Sequence, residues 1–180
     1  MLEIQFSGRG GQGVVLASQM LGRAFFEAGF FPQCYSVFGG ERRGAPLVSY
    51  LRVDTKQIRL KCEIEQPNEV ICLDASLIKA NELADLVRPQ GAILLNTKKS
   101  LDEFPEVDGL RLGVVDAAGI AVRCGLGLLF NTSILGAYAC FSGRLSFTEL
   151  FRGIEPLLPG NIEANQRAVR TAFETVTFRK

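Results

Sequence analysis

The sequence contains no histidine and no tryptophan among its 180 residues. The absence of histidine removes both the commonest general base and the commonest metal ligand. Its five cysteines are widely spaced and form no C-x-x-C pair, so it offers neither a disulfide framework nor the clustered thiolates of zinc and iron–sulfur sites. We therefore predict that this chain holds no metal by itself. The cysteines are Cys34, Cys62, Cys72, Cys124 and Cys140.

Charge of one sign and long apolar runs are also scarce. The net charge is +1 at pH 7, so no strong field attracts the chain to nucleic acid or to a membrane surface. No apolar run reaches the ~18 residues of a membrane span, and polar Asn131, Thr132 and Ser133 interrupt the longest candidate. The N-terminus has no basic segment followed by an apolar one. We predict a protein with no signal peptide and no membrane or nucleic-acid partner.

Short apolar segments typical of strands alternate with helical segments along the whole chain. "LEIQFS" predicts a first strand, a glycine-rich turn follows, and apolar residues at helical spacing from Val14 predict a helix that ends at Gly29. "NEVICLDAS", "AILLN" and "LRLGVVDA" are typical of further buried strands. This order predicts an α/β fold: a single domain over residues 1–180, three layers, a mixed and mostly parallel sheet, and a Rossmann-like start.

Turn and capping signals give finer local predictions. "LVSYLRV" and "IRLKCEI", joined by "DTKQ", predict an antiparallel hairpin, which is the reason to expect a mixed sheet. "LIKANELADLV" predicts a helix with Ser76 as its N-cap, and the terminal "TFRK" is expected to fray. Four polar residues near strand ends or helix starts are interpreted as caps rather than ligand contacts: Asp74, Asn96, Asp116 and Asn131.

"GRGGQGV", residues 8–14, is the first stretch that suggests a function. Its glycines fit G-x-G-x-x-G between a strand and a helix, where free N–H groups and the helix dipole favour an anion. A dinucleotide site also places an acidic residue about 20 positions later at a strand end. Here Glu27 falls inside the helix and Glu41 inside a glycine-rich break. A dinucleotide site, a site for another phosphate-bearing ligand or interface, and a purely structural turn therefore all stay open. The candidate residues are Gly8, Arg9, Gly10, Gly11, Gln12 and Gly13.

"FGGERRGAP", residues 38–46, is the second such stretch. Glycines on both sides of its charges let the backbone approach another surface closely, and adjacent arginines carry planar donors that match carboxylate or phosphate oxygens. A loop at this place in an α/β unit can lie beside the glycine-rich turn, at the carboxyl edge where such folds bind ligands. We predict a binding or interface role, rather than that of a plain solvated loop, for Glu41, Arg42, Arg43 and Gly44.

"GRGGQGV", "FGGERRGAP", "VSYLRVD", "IRLK" and "VICLD", in this order, resemble the gamma subunit of the 2-oxoacid:ferredoxin oxidoreductases. "ILLNTKK", "NTSILGAYA" and "IEANQRAVRTAFE" extend the resemblance over nearly the whole chain. The Arg-Gly-Ala-Pro form is most similar to the pyruvate and 2-oxoisovalerate members, whereas many 2-oxoglutarate members carry a different run at this point.

The resemblance implies a heteromeric cytoplasmic enzyme of anaerobic metabolism. It would decarboxylate a 2-oxoacid on thiamine diphosphate, pass electrons through iron–sulfur clusters to ferredoxin, and release an acyl-CoA with coenzyme A as co-substrate. Thiamine diphosphate, Mg and the clusters would belong to alpha, beta and delta-type partner subunits. This chain would bind no cofactor alone and have no catalytic residue, yet close part of the active-site region or the coenzyme A approach. The alternatives are a 2-oxoglutarate or 2-oxoisovalerate member, a free-standing nucleotide-binding module, and a scaffold without an enzymatic partner.

Overall fold

The computed structural model describes residues 1–37, 44–158 and 160–179, and these ranges form a seven-stranded mixed sheet with five α-helices. The strands are β1 (Leu2–Arg9), β2 (Phe31–Val37), β3 (Pro46–Asp54), β4 (Glu69–Cys72), β5 (Ala92–Asn96), β6 (Arg111–Val115) and β7 (Thr177–Arg179). The helices are α1 (Val14–Glu27), α2 (Ala117–Arg123), α3 (Asn131–Ser142), α4 (Phe147–Ile154) and α5 (Ile162–Thr175). The strand order is β2-β3-β1-β4-β5-β6-β7.

The centre of the sheet is parallel and its margins are antiparallel. β1, β4, β5 and β6 lie side by side and run in the same direction. β3 runs antiparallel to both of its neighbours, β1 and β2, and β7 runs antiparallel to β6. The predicted α/β class with a mixed sheet is therefore confirmed. All residues of β4 are buried, as expected for a parallel strand that is covered on both faces.

The hairpin predicted between residues 47–53 and 58–64 is wrong. β3 pairs with β1 on one side and with β2 on the other, so it has no free edge for residues 58–64. That segment is held to β2 by single contacts: Ile64 N donates to the Tyr35 hydroxyl at 3.0 Å, and Gln33 Nε2 donates to the Leu60 carbonyl at 3.0 Å. The alternating pattern indicates extended chain but carries no information about which strand is the partner.

The helix predicted over residues 77–87 is also wrong, because the chain forms two 3₁₀ segments there, Ala75–Leu77 and Ala80–Leu86. The N-cap of the first segment is Asp74 rather than Ser76. A short helix is marginal in water without tertiary support. Here the tertiary contribution is limited to a few apolar anchors such as Leu83, which packs against β4–β6.

The C-terminal residues are ordered through Arg179, so the predicted fraying is wrong for residues 177–179. These residues form β7, which pairs with β6. The Arg179 guanidinium also donates hydrogen bonds to the carbonyls of Leu101, Phe104 and Pro105 at 3.1, 2.7 and 2.7 Å. Both anchors are distant in sequence, so local composition could not indicate them.

The two faces of the sheet are covered differently. On one face, side chains such as Ile4, Phe6 and Leu94 belong to a large apolar cluster that includes residues of all five helices. The other face, at β4–β6, packs against the 3₁₀ segments and irregular chain through residues such as Leu83 and Val87. The three layers are present, with a thin second outer layer. Within the described ranges, no helix is long and apolar enough to cross a membrane.

Candidate functional site

The direction in which the chain moves from strand to strand across the sheet reverses between the neighbouring strands β1 and β4. After β1 the chain passes through α1 to β2 on one side of the sheet, whereas after β4 it continues to β5 on the other side. In open α/β sheets, ligands bind in the crevice at the carboxyl ends of the strands at such a point. Residues 8–13, here named the glycine turn, meet the segment that begins at Asp74 in this crevice.

Two glycines of the glycine turn are required by their surroundings. A Cβ on Gly8 would lie 2.7 Å from Val14 Cγ2 and 3.1 Å from Leu73 Cβ, so strand and helix can approach this closely only without one. Gly13 is the N-cap of α1 with a φ of 76°, in the left-handed region that side chains disfavour. The glycine turn thus has the close strand–helix packing that G-x-G-x-x-G predicts.

The glycine turn is bonded to the start of β3. Gly10 N donates to the Ala45 carbonyl at 2.9 Å, and Gly44 N donates to the Gly10 carbonyl at 3.1 Å. Arg9 Nη1 donates to the Gly44 carbonyl at 3.3 Å. Because β3 is antiparallel to β1, its start lies at the carboxyl end of β1. The second sequence motif therefore ends beside the first. Its charged residues lie outside the described ranges: Glu41, Arg42 and Arg43.

Asp74, two residues after the end of β4, binds two side chains of the glycine turn. Its Oδ2 accepts hydrogen bonds from Arg9 Nε at 2.9 Å and from Gln12 Nε2 at 3.2 Å. Its Oδ1 accepts from Ser76 N at 3.0 Å and from Ser76 Oγ at 2.6 Å. Partial burial acts to raise the pKa of Asp74, but the hydrogen bonds from Ser76, Gln12 and Arg9 outweigh it and hold the pKa below its usual value. Asp74 is therefore an ionised cap that also reaches the glycine turn.

The N-terminus of α1 lies at the crevice, and its own first turn carries no acidic residue. Among the described residues no side chain caps α1 at Gly13, and no acidic residue in that first turn offsets the positive end of the helix dipole. Asn131 of α3 packs beside it, with Nδ2 3.0 Å from the position of a Cβ on Gly13. Asn131 Oδ1 is buried and has no hydrogen-bond partner within the described part of the chain.

The other predicted caps have different outcomes. Asp116 is the N-cap of α2, because its Oδ1 accepts from Gly119 N at 2.9 Å. Asn96 Oδ1 accepts from Ala118 N at 3.2 Å and so also supports the first turn of α2. The capping role predicted for Asn131 is wrong, because the N-cap of α3 is Phe130 and Asn131 is already helical. The contact of Asn131 with the glycine turn was not foreseen, since nothing local in the sequence indicates it.

The crevice offers the N-terminus of α1 and the Arg9 guanidinium as hydrogen-bond donors, and the Asp74 carboxylate pairs with that guanidinium. The Arg9 side chain is 38% exposed, so part of its guanidinium is accessible beside the backbone of the glycine turn. Cys72 is the thiol at the end of β4, and burial raises its pKa, which makes it unreactive. Among the residues that the structure describes, no group of His, Cys, Asp and Glu could hold a metal ion. This arrangement can bind an anion or contact another chain.

Fold and site together define an α/β protein with a glycine turn at the reversal point of a mixed sheet. Residues 3–175 match the sequence model of the family described as pyruvate ferredoxin/flavodoxin oxidoreductase. The chain belongs to this family.

Curated relatives match the chain over nearly their whole length. It is 40% identical over 179 residues to the "Pyruvate/ketoisovalerate oxidoreductases common subunit gamma" of Pyrococcus furiosus, covering 97% of this chain and 96% of that relative. It is 38% identical over 176 residues to the "Pyruvate synthase subunit PorC" of Methanocaldococcus jannaschii, covering 96% of each.

Solved structures share the fold. The crystal structure of the pyruvate oxidoreductase subunit PORC from Thermotoga maritima superposes with a TM-score of 0.83 at 30% identity, covering 99% of this chain and 98% of that chain. The 2-oxoglutarate:ferredoxin oxidoreductase from Magnetococcus marinus superposes with a TM-score of 0.74 at 16% identity, and this likeness shows the fold alone. There the match covers 98% of this chain but 31% of that chain.

Proposed function

We propose that this chain is the gamma subunit of a heteromeric 2-oxoacid:ferredoxin oxidoreductase, with pyruvate or a related 2-oxoacid as substrate. The complex would decarboxylate the 2-oxoacid oxidatively to an acyl-CoA and pass the electrons to ferredoxin. One observation carries the proposal: relatives named as gamma or PorC subunits match this chain over almost the entire length of both chains.

The division of labour in this proposal follows from the side chains that this subunit offers. Magnesium thiamine diphosphate needs oxygen ligands for its metal, and iron–sulfur clusters need clustered thiolates. The described residues contain no such ligand set. We therefore assign these groups to alpha, beta and delta-type partner subunits, and we assign no redox step to this chain. We further propose that the complete complex is cytoplasmic.

The contribution of this chain is the anion-binding character of its crevice. The N-terminus of α1 and the Arg9 guanidinium offer donors to phosphate groups. Gly11 has a φ of 97°, and among the described residues nothing lies within 4 Å of a Cβ position on it, which favours close approach of a ligand or partner to its backbone. We propose that the glycine turn, together with Glu41–Gly44, contacts the phosphates of coenzyme A or the partner subunit that holds them.

Reconstitution tests the proposal. Co-expression with the neighbouring genes should yield a complex that contains this chain, thiamine diphosphate and iron–sulfur clusters. That complex should reduce ferredoxin with pyruvate and coenzyme A only when this chain is included. Replacing Arg42 and Arg43 together by alanine should weaken assembly or turnover. A complex of the other chains that retains full activity alone would contradict the proposed function.

A nucleotide-binding module is the second candidate, and the position of the glycine turn at the reversal point favours it. A dinucleotide fold, however, uses an acidic residue at the end of the strand next to β1. Here that strand is β3, which is antiparallel, so Pro46 at its start lies at the carboxyl end of β1. Titration with NAD(H), NADP(H) and FAD tests this candidate, and the absence of binding at millimolar ligand would exclude it.

A further inference from the structure

We infer that Asp74 is the positioning residue of the glycine turn, which holds Arg9 and Gln12 in the orientation that a ligand or partner meets. The inference deepens the proposed function and rests on it for the identity of the ligand. The residue touches no ligand in this role, because it acts through the two side chains that it binds.

The carboxylate of Asp74 uses both oxygens in different directions. Oδ2 accepts from Arg9 Nε at 2.9 Å and Gln12 Nε2 at 3.2 Å, whereas Oδ1 accepts from Ser76 at 3.0 and 2.6 Å. The contacts to Ser76 fix the carboxylate on the β4 side of the crevice. The contacts to Arg9 and Gln12 transmit this position to the β1 side. The two strands are thus joined across the point where their connections diverge.

Gln12 passes the constraint on to the backbone of the glycine turn. The side-chain Oε1 of Gln12 accepts from the backbone N of Arg9 at 2.7 Å, and the backbone N of Gln12 donates to the Arg9 carbonyl at 3.0 Å. The amide of Gln12 therefore lies between Asp74 and the turn backbone, with one end bonded to each. Arg9 in turn reaches the Gly44 carbonyl at 3.3 Å, so the start of β3 belongs to the same network.

Asp116 provides a matched control at the end of the parallel strand β6. Its Oδ1 accepts from Gly119 N at 2.9 Å, and its Oδ2 forms an ion pair with Arg123 of α2 at 3.8 Å. It is likewise a capping carboxylate just after a parallel strand, yet within the described ranges its hydrogen bond and ion pair stay within its own helix and do not reach residues 8–13. An asparagine at either position keeps one oxygen as a cap acceptor, but only Asp74 must accept from two separate sets of donors.

The experiment compares Asp74→Asn with Asp116→Asn in the reconstituted complex. The neutral amide at position 74 cannot accept from both Ser76 and the glycine turn, so Arg9 and Gln12 lose a charged anchor. We expect the KM for coenzyme A to rise about tenfold in Asp74→Asn, with a much smaller change in kcat and in the KM for pyruvate. Asp116→Asn should match the wild type. The double variant Arg9→Gln with Asp74→Asn should raise the KM for coenzyme A by less than the product of the two single-variant effects.

Hydrogen exchange of residues 8–14 in the purified chain provides a readout that needs no ligand. Asp74→Asn should exchange these amides faster than the wild type and Asp116→Asn. Unchanged exchange, or equal changes in both variants, overturns the inference. A wild-type chain that fails to assemble contradicts the proposed function, while the exchange result still decides the role of Asp74. If Asp74→Asn does not fold, Asp74→Glu takes its place. It shifts the carboxylate by one methylene and should also speed amide exchange in residues 8–14 and raise the KM for coenzyme A.

Discussion

Gly136→Ala is expected to destabilise the chain because α3 and α5 pack backbone to backbone at this position. A Cβ on Gly136 would lie 2.2 Å from the Val169 carbonyl oxygen and 2.9 Å from Val169 Cα. Ordinary van der Waals contact begins at 3.4 Å, so the two helices must separate by roughly 1 Å. The obstacle is the backbone of a second helix, which cannot rotate away.

The magnitude follows from two opposing effects. Overpacking costs about 1–3 kcal/mol, and we take about 3 kcal/mol because the obstacle is backbone. Replacing glycine by alanine within a helix returns about 1 kcal/mol of helix propensity. The free energy of unfolding should therefore fall by about 2 kcal/mol. A domain of this size loses roughly 2–4 °C in Tm per kcal/mol, which predicts a decrease of roughly 4–8 °C.

Gly22→Ala in α1 is the matched control for this measurement. It has the same gain in helix propensity, but the nearest obstacle to a Cβ is Cys34 Sγ at 2.7 Å, and that side chain can rotate. Thermal unfolding followed by circular dichroism should place Gly22→Ala within roughly 2 °C of the wild type. Equal Tm values for Gly136→Ala and the wild type, or equal losses in both variants, would refute the steric reasoning.

Three further predictions concern ionisation and the site. Burial acts to raise the pKa of Asp74 but its hydrogen bonds lower it, so its stabilising effect is complete above the unfolded pKa of about 3.9 and is lost as pH falls through the lower folded value. As pH falls, the free energy of unfolding should therefore decrease less steeply for Asp74→Asn than for the wild type. Parallel curves for the two proteins would contradict this. The Cys34 sulfur packs against α1, where it donates to the Ser18 carbonyl at 3.4 Å, and its desolvation there raises its pKa to about 11 although other atoms of the residue are exposed. At about pH 8 iodoacetamide should therefore label the exposed Cys62 first, as mass mapping would show. Gly13→Ala should lower the free energy of unfolding, measured in urea, by about 1–2 kcal/mol, because alanine disfavours a φ of 76°. An unchanged free energy of unfolding would contradict this reasoning.

Local signals predicted the parts of the fold that depend on neighbouring residues. The strand, glycine turn and helix at the start of the chain are found, with α1 beginning at Val14 and Gly29 at a φ of 89° just after it. The buried strands β4, β5 and β6 are found as well, because their apolar runs reflect burial on both faces. The predicted helix over residues 77–87 is wrong: its apolar residues such as Leu83 are buried as the pattern indicates, but the chain there forms 3₁₀ turns, which the apolar pattern does not distinguish from an α-helix.

The sequence by itself determined the α/β class, the glycine turn and the paired motifs that indicate the family. Those features arise from periodicity and backbone freedom, which act within a few residues. Only the tertiary structure decided that β3 lies between β1 and β2, that residues 177–179 pair with β6, and that Asp74 bonds Arg9 across 65 residues. Such contacts depend on which distant segments the topology brings together, and local periodicity carries no record of that choice.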